Sequence, residues 1–282
     1  MSSVFRRYSG ADGMRCRADL HTHSTASDGQ YTPRQLVYQA QAAGIACLAI
    51  TDHDTTDGLE EGIRAGGELG IAVVRGVELG AKEDRHLHIL GLGFRAEHPA
   101  LEVLCRTLQA GRAERKYRIV SYLREKGLDV PLAEAEALAG GEIVSRPHFA
   151  QVMLRRGYVA SLREAFDRYL DTDEYQKIER PKAAAEDCIA AIHADGGKAV
   201  LAHPYQLGYS DEKLEALLAR LKASGLDGLE CHYPKHTQEQ TAYYLRLAEA
   251  YGLHITGGSD FHGERVKPDV SLMPTELEVG WL

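Results

Sequence analysis

The sequence has few of the features that are typical of secreted, membrane or DNA-binding proteins. Its five cysteines are odd in number and include no CxxC pair, which argues against a disulfide framework and against a zinc site built from thiolates. No apolar run approaches the roughly 18 residues that a membrane-spanning helix needs. The net charge of −8 provides no general attraction for duplex DNA or for an anionic membrane. We therefore expect a cytoplasmic protein without a membrane or duplex-DNA partner.

The remaining composition, 44% hydrophobic and 26% charged over 282 residues, is typical of a globular protein. Residues 1–14 contain arginines but no apolar stretch, and we expect a flexible leader there. Over 15–99, and again over 181–282, short apolar runs alternate with helical patterns, which is typical of a parallel sheet built from β-α-β units. Over 100–180 the strand signals vanish, and we predict an inserted helical subdomain. The insert is relatively basic, with fourteen basic against thirteen acidic residues over 101–180.

Metal-ligating side chains stand at or close to the ends of the predicted strands. DLHTH closes the first strand, and because residues two apart in a strand share a face, His21 and His23 can bind one cation. Further imidazoles and carboxylates occur in SDG, TDHDT, GVEL, HLHILG, LAHP and GSDFH. The carboxyl ends of strands are where barrel enzymes assemble their active sites. The candidate catalytic and metal-binding residues are His21, His23, Asp28, His53, Glu78, His88, His203, Asp260 and His262.

Six imidazoles and three carboxylates exceed what one ion can use and suit a cluster of two or three divalent ions. We expect Mn²⁺, with Fe²⁺ and Zn²⁺ as alternatives that such a donor set also accepts. His86 competes with His88 for one ligand position, and we favour His88 because it directly precedes ILG. Asp19, Asp52 and Asp54 flank ligands, and are expected either to orient imidazoles or to form caps and turns.

The charge of such a cluster favours a phosphate substrate. Three divalent ions and three carboxylates leave a surplus of about +3, which suits a phosphate monoester dianion. Metal ions also lower the pKa of bound water from about 15.7 toward about 7, which makes hydroxide available at neutral pH. We therefore expect metal-activated hydroxide to attack phosphorus in line.

The segments DLHTHSTASDG, ITDHDT, GVEL with HILG, AHP and GSDFH together resemble the PHP (polymerase and histidinol phosphatase) family of metal-dependent phosphoesterases. The resemblance implies an α/β fold, a distorted (β/α)7-type TIM-like barrel. It also implies that His21, His23, Glu78 and Asp260 bind one ion, that Asp28, His53 and His262 bind a second, and that Glu78, His88 and His203 bind a third. The position of Asp28 is occupied by histidine in some family members.

Within the family, the helical insertion and the SRPHFA segment are similar to the branch of nucleoside 3',5'-bisphosphate phosphatases and 5'-3' exonucleases of short RNA. Arg146 and His148 open a predicted helix, where a guanidinium and exposed N–H groups can bind a second phosphate. Lys116 lies on another helix of the insert, and His232 and His236 follow a core strand. We expect these five residues to contact the substrate.

The predicted reaction is hydrolysis of the 3'-phosphate of a nucleoside 3',5'-bisphosphate to give the 5'-nucleotide. A 5'-3' exoribonuclease acting on short 5'-phosphorylated RNA and a non-catalytic metal-binding module are the alternatives. An amidohydrolase with a modified bridging lysine is disfavoured, because Lys198 begins a predicted strand and lies far from its active end.

Overall fold

Eight strands of the first compact unit form one mixed sheet. The computed structural model describes residues 15–139, 144–178 and 182–282, and the predicted leader over 1–14 lies outside them. The first unit consists of the described residues up to Cys105 and from Ala183 onward. Its strands are β1 (Arg15–Thr22), β2 (Cys47–Ile50), β3 (Ala72–Gly80), β4 (His88–Leu92), β5 (Lys198–Leu201), β6 (Gly228–His232), β7 (His254–Gly257) and β8 (Thr275–Glu278). They are ordered β7-β6-β5-β4-β3-β2-β1-β8.

The helices follow from local sequence signals. They are α1 (Pro33–Ala42), α2 (Leu59–Leu69), α3 (Pro99–Glu125), α4 (Leu132–Ala139), α5 (Arg146–Arg155), α6 (Leu162–Ala165), α7 (Asp173–Gln176), α8 (Ala185–Ala194), α9 (Asp211–Ala223) and α10 (Gln238–Ala250). Thr32 caps α1 in a reciprocal box with Gln35, and Pro33 occupies the first turn. Gly62 lets α2 approach the sheet, since an added Cβ would lie 2.2 Å from Ile50 Cδ1.

The sheet is joined at the carboxyl end of β1 to the segment that follows β7. The backbone N–H of Asp260 donates to the carbonyl of His21 at 2.8 Å, and the N–H of His23 donates to the carbonyl of Phe261 at 2.9 Å. A parallel bridge links Thr22 with Phe261. The predicted distorted TIM-like barrel is thereby confirmed, and the two motifs at the ends of the chain are brought side by side.

Two strands depart from the predicted parallel sheet. β4 is antiparallel to both β3 and β5, because the seven residues 81–87 between β3 and β4 are too few for a parallel crossover. β8 is antiparallel to β1, and the prediction missed it. Its TELE sequence is short and exposes both glutamates, so only a weak alternation marks it as a strand.

β1 is buried on both faces towards its carboxyl end. The apolar barrel core includes Cys16, Ala18 and Leu20, and the adjacent polar residues Asp19 and His21 are also fully buried. In a regular strand adjacent side chains point to opposite faces. The register of β1 against β2 shifts between Asp19 and Thr22, and such an extra residue re-aims the side chains that follow it.

The second compact unit, Arg106–Lys182, is helical in its described part and has its own apolar core. Phe149 of α5 and Tyr175 of α7 are among its largest buried side chains. A π-helical turn at Phe166–Leu170 follows α6. The predicted insert spans residues 100–180. Across the described ranges of both units, no helix is long and apolar enough to cross a membrane.

Candidate metal centre

The nine expected ligands lie together at one end of the barrel strands. β1 ends one residue before His23, Glu78 lies two residues before the end of β3, and His203 follows β5. His88 is different, because it opens β4 rather than closing a strand. The antiparallel direction of β4 nevertheless puts its first residue at the same end, where His88 pairs with Gly80 of β3. The expectation that every ligand stands near a carboxyl end is therefore wrong for His88, although its position in the cluster is unchanged.

Glu78 is the centre of the cluster. Its carboxylate is fully buried and lies within 3.4 Å of nitrogen atoms of five imidazoles. The distances from Oε2 are 3.4 Å to His21 Nε2, 3.2 Å to His23 Nε2 and 2.9 Å to His53 Nδ1. Those from Oε1 are 2.6 Å to His88 Nδ1 and 3.0 Å to His203 Nε2. Each oxygen thus faces a different set of rings, which is the arrangement of a bridging carboxylate.

Two further carboxylates complete the cluster. Asp260 Oδ1 lies 3.3 Å from His23 Nε2 and 3.7 Å from His21 Nε2. Asp28 Oδ1 lies 3.3 Å from His262 Nε2. The turn that carries Asp28 therefore brings its carboxylate to the side of the cluster that the last motif supplies.

Three groups of donor atoms within the described residues are close enough to hold a cation each. They comprise His21, His23, Glu78 and Asp260; His23, Asp28, His53 and His262; and His53, Glu78 and His88. In each group the donor atoms lie within 4.8 Å of one another. The first group equals the set that the family resemblance implies. The second adds His23 to the expected set, and the third has His53 where we expected His203.

The donor atoms suit divalent ions. Seven buried nitrogen and oxygen atoms of the expected ligands have no hydrogen-bond partner within the described ranges. These atoms are His21 Nε2, His23 Nδ1 and Nε2, Asp28 Oδ1, His53 Nδ1, Glu78 Oε2 and His203 Nδ1. Burying so many unpaired polar atoms is costly unless a cation binds them. Imidazole with carboxylate is a donor set that first-row divalent ions accept.

The protonation of the cluster is set by burial and by its own carboxylates. Burial lowers the pKa of His88 to about 3 and that of His262 to about 4, so both rings are neutral at pH 7, which is the form that ligates. Burial also opposes a charge on His23, but the neighbouring carboxylates of Asp260 and Glu78 outweigh it and raise the pKa of His23 to about 9. Cation binding at His23 must therefore displace a proton.

Glu230 of β6 contacts the ring nitrogen of His21 that faces away from Glu78, and the sequence did not lead us to expect this role. Its Oε1 lies 3.1 Å from His21 Nδ1, and its Oε2 accepts the backbone N–H of His203 at 2.6 Å. With Nδ1 of His21 bound by Glu230, Nε2 is the nitrogen that faces Glu78 and Asp260. The available signal was a glutamate in an otherwise apolar strand, GLEC, where an unpaired carboxylate would be costly.

We expect Glu230→Gln to weaken metal binding and catalysis about 10- to 100-fold, the usual effect of removing a partner that orients a ligand. The amide keeps the size of the side chain but removes the charge that holds the proton on His21 Nδ1. Metal titration and kcat/KM measure the effect. Glu276→Gln, on the exposed face of β8, is the matched control. Wild-type metal affinity in Glu230→Gln would remove Glu230 from this role.

The three aspartates that flank ligands hold backbone and hydroxyl groups in the contacts that the structure resolves. Asp52 accepts the N–H of Ser24 at 2.7 Å and the hydroxyls of Ser24 and Ser27 at 2.6 Å, and so fixes the turn that precedes Asp28. Asp19 accepts backbone N–H groups from three segments, including Ser259 at 2.9 Å. Asp54 accepts the N–H of Gly80 at 3.3 Å. Of the two roles left open, these contacts favour the turn-forming one.

Backbone strain is concentrated at the cluster. Among the described residues, the non-glycine positions with positive φ are Asp54 (53°), His203 (25°) and Asp260 (56°). Two of these are expected ligands and the third is next to His53. Such conformations cost on the order of 1–3 kcal/mol each and persist where the surrounding structure enforces them, commonly at functional sites.

Tyr233 and Lys267 hold the outer oxygen of Asp260, and sequence analysis missed both roles. The Tyr233 hydroxyl donates to Asp260 Oδ2 at 2.9 Å, and Lys267 Nζ donates to the same oxygen at 2.7 Å. Burial alone would lower the pKa of Lys267, but the Asp260 carboxylate outweighs it and holds the pKa above its usual value. A single lysine in the polar segment GERVKPD gives no sequence signal for this position.

The expected substrate residues of the insert have partners inside that unit. Arg146 Nη1 lies 2.5 Å from Asp171 Oδ1, and its guanidinium lies over the ring of Phe166. Ser145 donates its N–H to Nδ1 of His148 at 3.0 Å, so this ring caps the start of α5. Lys116 Nζ lies 2.6 Å from Glu136 Oε1.

His232, which we expected to contact the substrate, lies outside the three donor groups of the described residues. The register of β6 against β7 shifts between Glu230 and His232, so the two side chains do not share the face that regular spacing predicts. His232 lines a groove of about 420 Å³ together with Arg15, His254 and Trp281.

His236 and His86 also lie outside the three donor groups. His236 Nδ1 donates to the carbonyl of Cys231 at 3.0 Å, and its ring packs 5.3 Å from that of Tyr233. His86 Nε2 accepts a hydrogen bond from Arg85 at 2.8 Å, whereas His88 contacts Glu78. The geometry therefore favours His88 over His86 as a ligand.

Comparison with known proteins relates the chain to enzymes that act on phosphate esters. The PHP domain family pattern matches residues 19–178. The chain is 37% identical over 250 residues to a 5'-3' exoribonuclease of Haemophilus influenzae, covering 88% of this chain and 91% of the relative. It is 34% identical over 246 residues to a 3',5'-nucleoside bisphosphate phosphatase of Chromobacterium violaceum, covering 86% of each.

A solved structure has the same fold. It is described as an amidohydrolase from Chromobacterium violaceum with bound sulfate and no metal. It superposes with a TM-score of 0.84 at 33% sequence identity, over 92% of this chain and 90% of that one.

Proposed function

The chain belongs to the PHP domain family, and from that premise we propose that it is a metal-dependent phosphoesterase that removes the 3'-phosphate of nucleoside 3',5'-bisphosphates. The observation that carries the proposal is Glu78, whose two oxygens face separate sets of imidazoles at the edge of the barrel. The substrate class draws on the bisphosphate phosphatase of Chromobacterium violaceum, which is similar over most of its length.

The side chains of the proposed site each have a defined task. When bound, divalent ions lower the pKa of water and neutralise the charge of a phosphoryl group. Glu78 would bridge two of them, and Asp260 would present Oδ1 while Oδ2 is held from outside. His21 would ligate through Nε2, because Glu230 keeps the proton on Nδ1. We propose Mn²⁺ as the native ion, with Fe²⁺ and Zn²⁺ as the alternatives for this donor set.

A second candidate function is 5'-3' exonucleolytic cleavage of short RNA. The 37% identity to the Haemophilus influenzae exoribonuclease favours it. Both reactions use the same phosphoryl chemistry and differ in whether the substrate is a mononucleotide or a chain.

Amide hydrolysis is less well supported. In that chemistry a modified lysine often bridges the ions, whereas here a carboxylate from β3, Glu78, lies between the donor groups. Lys198 opens β5, and its Nζ lies 3.3 Å from Asp227 Oδ1. We also propose a reducing, cytoplasmic location, because the five cysteines are buried and free.

The cations of the insert remain our candidates for the phosphate that is not cleaved. Arg146 has one carboxylate partner resolved, Asp171, and its side chain is about a third exposed. A guanidinium retains further N–H donors for a phosphate. Lys116 and His148 belong to the same proposal.

Phosphate release from adenosine 3',5'-bisphosphate, 3'-AMP and a 5'-phosphorylated oligoribonucleotide, each with Mn²⁺, tests the function. We expect kcat/KM to be highest for the bisphosphate. Arg146→Met should raise KM for the bisphosphate about tenfold, which equals the loss of one charge-assisted hydrogen bond. KM for 3'-AMP should not change, because that substrate lacks the second phosphate.

Arg163→Met is the control, since Arg163 lies in the same unit and its side chain is 90% exposed. Release of 5'-nucleotides from the oligoribonucleotide, with no phosphate from the bisphosphate, would replace the first function by the second. Metal binding without activity on any of the three substrates would favour the non-catalytic module.

A further inference from the structure

We propose that Lys267 is the protein's own cation in this site, and that its ammonium binds an oxygen of the phosphate group that is to be cleaved. The inference rests on the proposed function, because it assigns a substrate contact to the same site. It concerns a residue that lies outside all three donor groups and outside the motifs of the sequence analysis.

The ammonium of Lys267 has donors to spare. It carries three N–H groups, and its resolved hydrogen bond is the one to Asp260 Oδ2 at 2.7 Å. The side chain of Lys267 is 33% exposed, whereas that of Asp260 is 4% exposed. The lysine therefore lies between the buried carboxylate of Asp260 and solvent.

A folded turn holds Lys267 in this position. Its backbone N–H donates to the carbonyl of Gly263 at 2.9 Å, and its own carbonyl accepts the N–H of Val270 at 3.1 Å. Gly263 has a φ of 92°, which favours glycine, and Val270 is buried. The N–H of Arg265 is bound by the side chain of Gln30 at 2.9 Å. Hydrogen bonds thus hold the backbone on both sides of Lys267.

The positive charge of Lys267 favours binding of an anion and opposes binding of a metal ion. A fixed positive charge beside Asp260 repels a cation that binds its other oxygen, so it lowers metal affinity. The same charge attracts a phosphate dianion. Orientation of Asp260 does not require the lysine either, because the neutral hydroxyl of Tyr233 already donates to Oδ2.

The test measures binding of inorganic phosphate to the Mn²⁺-loaded protein by calorimetry, and binding of Mn²⁺ alone in a separate titration. Lys267→Met should weaken phosphate binding about tenfold or more, as expected for a lost charge-assisted hydrogen bond. It should bind Mn²⁺ at least as tightly as the wild type. These opposite directions separate a phosphate contact from a structural role, which would weaken both.

Two further variants sharpen the result. Tyr233→Phe removes the other donor to Asp260 Oδ2 without changing charge, and it should weaken phosphate binding clearly less than Lys267→Met does, because the ammonium that contacts the phosphate is retained. Arg265→Met removes an exposed charge from the same turn and should leave phosphate affinity unchanged. An equal loss of phosphate affinity in Tyr233→Phe and Lys267→Met, or a joint loss of Mn²⁺ and phosphate binding in Lys267→Met, would overturn the proposal.

These measurements do not depend on turnover. If the wild-type protein released no phosphate from any nucleotide, the proposed function would fail, and the phosphate and Mn²⁺ titrations would still decide the role of Lys267. If turnover is found and Lys267→Met binds phosphate like the wild type, the inference alone fails.

Discussion

Glu78→Gln is expected to reduce phosphatase activity at least about 10³-fold, because metal ions that activate water and neutralise a phosphoryl group contribute several kcal/mol to catalysis. Glu78 lies between the donor groups, with imidazoles on both of its oxygens. Glutamine preserves the shape but replaces one ligating oxygen by an NH₂ group, which cannot bind a cation. The variant would therefore offer one ligating oxygen where the wild type offers two.

Elemental analysis of protein purified without added metal provides the second readout of this variant. We expect about two to three equivalents of divalent metal in the wild type, the number that the ligand count suits. Glu78→Gln should lose at least one of them. His254→Ala is the control, since His254 stacks on Trp281 at 4.3 Å and belongs to none of the described donor groups. A fully loaded and fully active Glu78→Gln protein would place the metal centre elsewhere.

Removal of the metal should destabilise the protein strongly. A ligand at 100 times its Kd stabilises the native state by about 2.7 kcal/mol. One kcal/mol corresponds to roughly 2–4 °C in the Tm of a domain of 150–250 residues. Each occupied site should therefore raise the Tm by about 5–10 °C. The physical source is the set of buried donor atoms without hydrogen-bond partners, which a cation satisfies.

Thermal unfolding of EDTA-treated protein, titrated with MnCl₂, measures this effect. The rise in Tm should be smaller in Glu78→Gln than in the wild type, because one shared ligand is gone. Glu276→Gln on β8 should respond like the wild type. A Tm that does not change with Mn²⁺ in the wild type would contradict a metal centre built from the native fold.

The residues that form the cluster were easier to recognise in the sequence than the groups that contact them from other segments. HxH at the end of β1 and SDFH after β7 have the residue types and spacing of a metal site, and His21, His23 and Asp260 meet in the structure. Glu230 and Lys267 act on those ligands from other segments of the chain. A buried glutamate in a strand and a lysine in a polar loop have no such spacing to reveal them.

Local irregularities of the sheet explain where regular periodicity misleads. Side chains two residues apart on a regular strand lie on the same face. A bulge between Glu230 and His232 breaks this rule, and His232 lines the groove beside Trp281. Bulges leave no mark in the spacing of apolar residues, so spacing alone assigns the residues that follow a bulge to the wrong face of the strand.

The sequence by itself determined the alternation of strands and helices, the barrel class and the residue types at the strand ends, because hydrophobic period and turn residues are local properties. Only the tertiary structure decided that β4 is antiparallel to β3, so that His88, the first residue of β4, contacts Glu78. Only the tertiary structure put two donors on the outer oxygen of Asp260. Such contacts join residues far apart in the chain, and their geometry is fixed by strand direction, register and closure of the sheet, which no short segment encodes.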